Sequence, residues 1–205
     1  MEESMIPDRL RRQMAFIVEI GKLKQVLRRT VTIHQDRNEN DAEHSWHLAV
    51  MAVILSEYAG DDVDLLQALK MVAIHDLVEI DAGDTYCYSD YDPKEKLGAE
   101  RRAANRLFEM LPEDQRCELL SLWEEFEAGE TPEARFAVAL DRLQPLLLNY
   151  HVGGRVWKKH GVRKDQVLAR AARIGESSHA LWEYAGDLIE QAASAGMLPE
   201  QPASG

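Results

Sequence analysis

The chain has 205 residues, 45% of them hydrophobic and 29% charged, a composition that suits one globular domain and argues against a disordered or fibrous protein. Its 24 lysines and arginines stand against 36 aspartates and glutamates, a net charge of −12. That balance argues against coating a nucleic-acid polymer or docking on a membrane through a basic patch, but it leaves room for a small phosphorylated metabolite held by one or two local arginines. Cys87 and Cys117 show no C-x-x-C spacing and read as reduced thiols. No apolar run follows the basic residues of MEESMIPDRLRRQM, and the longest apolar-rich stretch, Leu48 to Leu55, is far below the ~20 residues of a membrane span. A cytoplasmic location and no membrane contact are expected.

Helical spacing dominates the chain. Leu10, Met14, Ile17, Ile20, Leu23 and Leu27 recur at steps of three or four, predicting an amphipathic first helix with Arg28 and Arg29 at its C-terminal end. His34 to Asp41 reads as a polar loop whose Asn40 or Asp41 caps the next helix, from about Ala42 to Ala59. A helix from about Val63 to Ile80 follows, stopped by Gly83, and Tyr86 to Pro93 reads as a loop or lid. Helical patterning resumes at Leu97, and Pro112 starts a helix that Gly129 closes. Thr131-Pro132 opens another, with Pro145 in its interior and a kink expected beside Asp141. Gly153-Gly154 breaks the chain, and helices near 165–174 and 178–195 precede a flexible tail over 197–205. No strand-like alternation, repeat or linker is visible. The expectation is a single all-α domain over residues 1–205, with its core at about 9–195.

Three places put charge or imidazole on apolar helix faces, where burial is costly unless the group is used. They are His44 in AEHSWHLA, His75-Asp76 in MVAIHDLVEIDAGDT, and Asp141 in FAVALDRLQPLLLN. Singly each has a plain structural explanation: a cap or core hydrogen bond for His44, a salt bridge to Arg142 or Arg135 for Asp141. Together, two imidazoles and two carboxylates from three helices suit one divalent transition ion of the Mn, Fe, Co, Ni or Zn kind. Such a site leaves room for a water nucleophile. His75 and Asp76 lie four and three residues before Glu79, so the three project toward one region. Asp84 follows Gly83, where a loop carboxylate can lean over the same site.

The order His … His-Asp … Asp on a helical chain resembles the HD-domain metal-dependent phosphohydrolases. The motifs are EHS at Glu43–Ser45, HDLVE at His75–Glu79, GDT at Gly83–Thr85 and ALDRL at Ala139–Leu143, within a match from about Phe16 to Tyr150. The glutamate three residues after HD and the following GD resemble the 5′-deoxynucleotidase branch, helical homodimers that release phosphate from deoxyribonucleoside 5′-monophosphates. The resemblance implies His44, His75, Asp76 and Asp141 as ligands of one metal ion, and Arg28 or its neighbour Arg29 as the phosphate clamp. Glu79 is the expected proton-transfer group and Asp84 the group orienting water or sugar; Arg37 is a second phosphate candidate, and Thr85 a substrate contact. Two-metal and oxygen-using relatives resemble a pattern with extra histidines between the HD pair and the last aspartate; this chain has none between Asp76 and Asp141. Arg29-Thr30 stands where the deoxynucleotidases carry a tryptophan after the arginine. The sugar preference therefore stays open, as do two further readings: a phosphohydrolase of another small phosphate ester, and a non-catalytic metal-binding dimer module.

Overall fold

A computed structural model describes residues 6–198 of the chain. α1 (Asp8–Ile20) gives way at Gly21 to a 3-10 turn, Gly21–Gln25, which leads into β1 (Leu27–Val31). β1 pairs antiparallel with β2 (Asn38–Asn40), Leu27 opposite Asn40 and Val31 opposite Asn38. Then follow α2 (Asp41–Ile54), α3 (Leu65–Ile74), α4 (Glu79–Ala82), α5 (Pro93–Phe108) and α6 (Glu113–Ala128). α7 (Pro132–His151), α8 (Arg155–His160), α9 (Lys164–Ala171) and α10 (His179–Ser194) complete the order. The fold is all-α apart from the short hairpin. No helix among the described residues is long and apolar enough to cross a membrane.

α7 is the hub. Thr131 caps it through a hydrogen bond from the Ala134 N–H to Oγ1 at 3.2 Å, with Pro132 in the first turn. Phe136 to Asp141 are buried without interruption, because α7 packs against α2, α3 and α6 at once. It stays helical through Pro145. A second core joins Phe16, Leu23, Leu77, Leu107, Phe108 and Trp123 beneath α5 and α6.

The structure corrects several sequence expectations. The first helix stops at Ile20, and Leu27 to Val31, a segment holding the β-branched pair Thr30-Val31, is extended. Arg28 therefore sits on a strand and not at a helix C-terminus. The stripe Leu10, Met14 and Ile17 faces outward, while Phe16 and Leu23 are buried. The helix expected over 63–80 breaks at His75, where a 3-10 turn, His75–Val78, replaces it. α8 follows the Gly153-Gly154 break, in a stretch to which the spacing assigned no element. Leu198, expected in the tail, is 2% exposed and belongs to the main core; 199–205 lie outside the described residues.

Candidate functional site

The site forms where α2, the 3-10 turn after α3, α7 and the hairpin meet. Asn40 caps α2 in a reciprocal box: its Oδ1 accepts from the Glu43 N–H at 3.0 Å, and its own N–H donates to Glu43 Oε2 at 3.2 Å. This anchors the first turn of α2 and hence His44. At the end of α3 the His75 Nδ1–H donates to the Val72 carbonyl at 3.0 Å. The tightened turn that follows brings Asp76 and Glu79 onto one edge, since residues three apart eclipse in a 3-10 helix.

His44, His75 and Asp141 bring ligand atoms within 4.8 Å of one another, and all three are buried. His44 Nε2 lies 3.0 Å from Asp141 Oδ1 and 3.8 Å from Asp76 Oδ2. His75 Nε2 lies 3.1 Å from Asp76 Oδ1 and 3.8 Å from Asp141 Oδ1. Both rings are oriented from behind. The Gln144 amide donates through Nε2 to Glu39 Oε1 at 2.7 Å, so its Oε1 is free to accept from the His44 Nδ1–H at 3.0 Å. With each Nδ1 committed as a donor, each Nε2 faces the carboxylates and is the ring nitrogen left for a metal ion. His75 Nε2 is buried without a hydrogen-bond partner. These donors fit a divalent transition ion, and the unpartnered imidazole nitrogen is what such an ion would satisfy.

Charge is concentrated here. Burial would raise the Asp141 carboxyl, but the Arg142 guanidinium and the two imidazoles hold it well below the usual range. Burial is likewise outweighed at Asp76 by His75 and Arg28, which keep it ionised. The imidazoles diverge. Burial and the charge of Arg28 lower His44 to about 4, whereas at His75 the Asp76 and Asp141 carboxylates overcome burial and raise it to about 10.

Arg28 reaches in from β1, its Nη1 donating to Asp76 Oδ2 at 2.8 Å and to Asp41 Oδ1 at 3.1 Å, while its Nε lies 3.8 Å from Glu39 Oε2. Glu79, at the start of α4, shares a second carboxylate cluster with Asp41 and Asp76. Burial and then the Asp76 and Asp41 charges raise Glu79 well above its ordinary value. Burial also lifts Asp41, to about 6, with Asp76 adding to the effect. One proton between two facing carboxyls satisfies both. Gly83 turns the chain at φ 75°, a conformation that disfavours any residue with a side chain. Asp84 and Thr85 thereby enter the wall of a cleft of about 180 Å³, well above the ~10–15 Å³ that one water needs.

The expected residues Arg28, His75, Asp76, Glu79, Asp84, Thr85 and Asp141 thus line one cleft, with His44 buried behind it. Arg37 is the exception. Its guanidinium grips Glu43 in a fork, at 2.6 and 2.8 Å, on the exposed side of α2 and away from the cleft. Asp41, Glu39, Gln144 and Lys96, which lines the cleft, are absent from the sequence-based expectations for the site. Of these only Gln144 carried a signal, a polar residue three positions after Asp141 within an apolar helical run. Asp141 also makes the ion pair with Arg142 that its structural reading anticipated. His47 lies 3.2 Å from Gln144 Nε2 and braces the same amide.

Comparison with known proteins places this geometry in context. The model of the HD domain family matches residues 20–182. The human protein named 5′-deoxynucleotidase HDDC2 is 31% identical over 136 residues, and the match covers 65% of this chain and 65% of that protein, just under two thirds of its length. A crystal structure described as a predicted metal-dependent phosphohydrolase from Magnetospirillum magnetotacticum superposes with a TM-score of 0.91 at 50% identity, covering 95% of this chain and 99% of that one. A conserved hypothetical protein from Pyrococcus furiosus shares the fold, with a TM-score of 0.58 at 20% identity over 88% of this chain and 99% of its own. With a family match that spans residues 20–182, most of its length, the chain belongs to the HD-domain family.

Proposed function

We propose that this protein is a metal-dependent phosphomonoesterase acting on (deoxy)nucleoside 5′-monophosphates, with one divalent ion held by His44, His75, Asp76 and Asp141. The observation that carries the reading is the convergence of these four donors, 3.0–3.8 Å apart, in a cleft that also receives Arg28, Glu79 and Asp84. The names of the human relative and of the Magnetospirillum protein support the reaction class. When bound, such an ion supplies positive charge at the phosphoryl oxygens and acidifies water.

The chain's own groups supply the rest. Arg28 is pinned by Asp76 and Asp41 in the wall of the cleft, so its guanidinium stands ready for a phosphoryl oxygen without reorganising. Glu79 stands beside Asp41, and burial favours its neutral form, suiting it to hand a proton to the departing sugar oxygen. Asp84 orients water or the sugar from the loop, with Thr85 beside it. Hydrolysis breaks the ester P–O bond, adds the water oxygen to phosphorus, and leaves the proton on the nucleoside oxygen.

The assembly is a homodimer. Its supporting observation is that α1 and α2 expose apolar side chains at matching spacing: Leu10, Met14, Ile17 and Val18 on one, Trp46, Val50, Val53 and Ile54 on the other. Exposed apolar stripes of this extent mark interaction faces. The test of the function is phosphate release from a panel of deoxyribo- and ribonucleoside monophosphates with Mn, Co or Zn supplied. Turnover that a chelator abolishes is expected; no release from any ester with any ion would overturn the reading in favour of a non-catalytic module.

A further inference from the structure

A second hollow, of about 300 Å³, adjoins the cleft. Its walls carry Arg29, Arg155, Lys159 and His160, with Asp36 as the one acidic residue. Arg29 lines both spaces. Arg28 and Arg29 are successive residues of β1, and successive strand side chains point to opposite faces. Arg28 is drawn into the acidic cluster at Asp76; Arg29 turns toward α8. The partition between the spaces is aromatic: the rings of Tyr86, which lines the cleft, and His160, which lines the hollow, lie 4.8 Å apart.

The charges of the hollow do not cancel. Arg155 is paired with Asp36 at 2.7 Å, but among the described residues Arg29 and Lys159 have no carboxylate partner. Three cations against one carboxylate leave two positive charges, on a chain whose net charge is −12. Unpaired cations gathered in a hollow beside a cleft attract and seat an anion, and a phosphate dianion matches this excess. From this, and resting on the phosphomonoesterase reading, we infer that the substrate carries a second phosphate, seated between Arg29 and Lys159 while the 5′-phosphate is cut at the metal centre. The substrate class is a nucleoside bisphosphate. The second phosphate ester stays intact, and only the 5′ P–O bond breaks.

The experiment compares kcat/KM for deoxyadenosine 5′-monophosphate and deoxyadenosine 3′,5′-bisphosphate on the Mn-loaded enzyme. A preference of tenfold or more for the bisphosphate is expected, and it should fall when salt is raised from 50 to 500 mM. Lys159→Gln and Arg155→Gln should each reduce the preference to threefold or less without changing monophosphate turnover. Equal kcat/KM for the two esters, or a preference that survives in the double variant, would overturn the inference while leaving the hydrolase reading intact. If neither ester is turned over, the hydrolase reading fails by itself. Calorimetric binding of the same two nucleotides then decides the second-phosphate claim: at least tenfold tighter bisphosphate binding, lost in Lys159→Gln, upholds it, and equal affinity overturns it.

Discussion

Replacing Gln144 with methionine keeps the approximate volume of a fully buried side chain but deletes the amide that joins Glu39 to His44. The His44 Nδ1–H and a Glu39 carboxylate oxygen each lose a partner. Abandoning a buried polar group costs about 1–3 kcal/mol. At roughly 2–4 °C of Tm per kcal/mol for a domain of this size, the metal-free variant should melt several degrees below wild type. A second loss appears only with metal present. His44 is no longer locked with its Nε2 lone pair toward Asp141, and support of this kind is worth roughly 10–100-fold in metal affinity. That factor equals about 1.4–2.8 kcal/mol of ligand-linked stabilisation. Calorimetric titration with Mn(II) measures the affinity, and paired melts with chelator or excess Mn(II) measure the linked stability. A Gln144→Met protein with wild-type affinity and an unchanged metal-dependent gain in Tm would refute the claim that the Glu39–Gln144 pair fixes the ligand.

Other outcomes follow from the same geometry. Glu79→Gln should lower kcat by roughly 10²–10⁴-fold, the usual worth of a proton-transfer group, with metal content unchanged by elemental analysis. In the metal-free protein burial raises Glu79 and Asp41, the latter to about 6, so the folded state holds protons that the unfolded chain releases. Their contribution is therefore present below about pH 4 and lost as pH rises through their folded values. Melts in chelator should show Glu79→Gln gaining on wild type between pH 4 and 7, and a constant difference would contradict the shift. Arg37→Ala should leave turnover within twofold, because its guanidinium is spent on Glu43; a large loss of kcat/KM would return Arg37 to the substrate site. Val18→Asp with Trp46→Glu should shift the mass in solution by light scattering from dimer to monomer.

Much of the centre was legible because burial and spacing leave marks in sequence. Asp141 stood among Ala137, Val138, Ala139, Leu140 and Leu143, and a helix apolar on every side has to be central. The Thr131-Pro132 start signal is local chemistry and placed α7 correctly. What stayed hidden depends on tertiary pairing. β1 is five residues with an irregular register, too short for alternation to stand out, and the preceding apolar steps of three and four imitated a longer helix. At the break the His75 side chain bonds the Val72 carbonyl, a contact that spacing alone does not reveal. The outward stripe of α1 carries the same periodicity as a core-facing one, so the pattern predicted the helix but not which side was covered. Glu39 and Gln144 lie 105 positions apart and become a pair only through the fold.

The central claim is that one divalent ion is shared by His44, His75, Asp76 and Asp141. Elemental analysis of wild type and Asp141→Ala, each dialysed against Mn(II) and then metal-free buffer, tests it most directly, with circular dichroism establishing that both are folded. The account predicts one equivalent per chain in wild type and less than a tenth in the variant. Equal metal content in two folded proteins would contradict it.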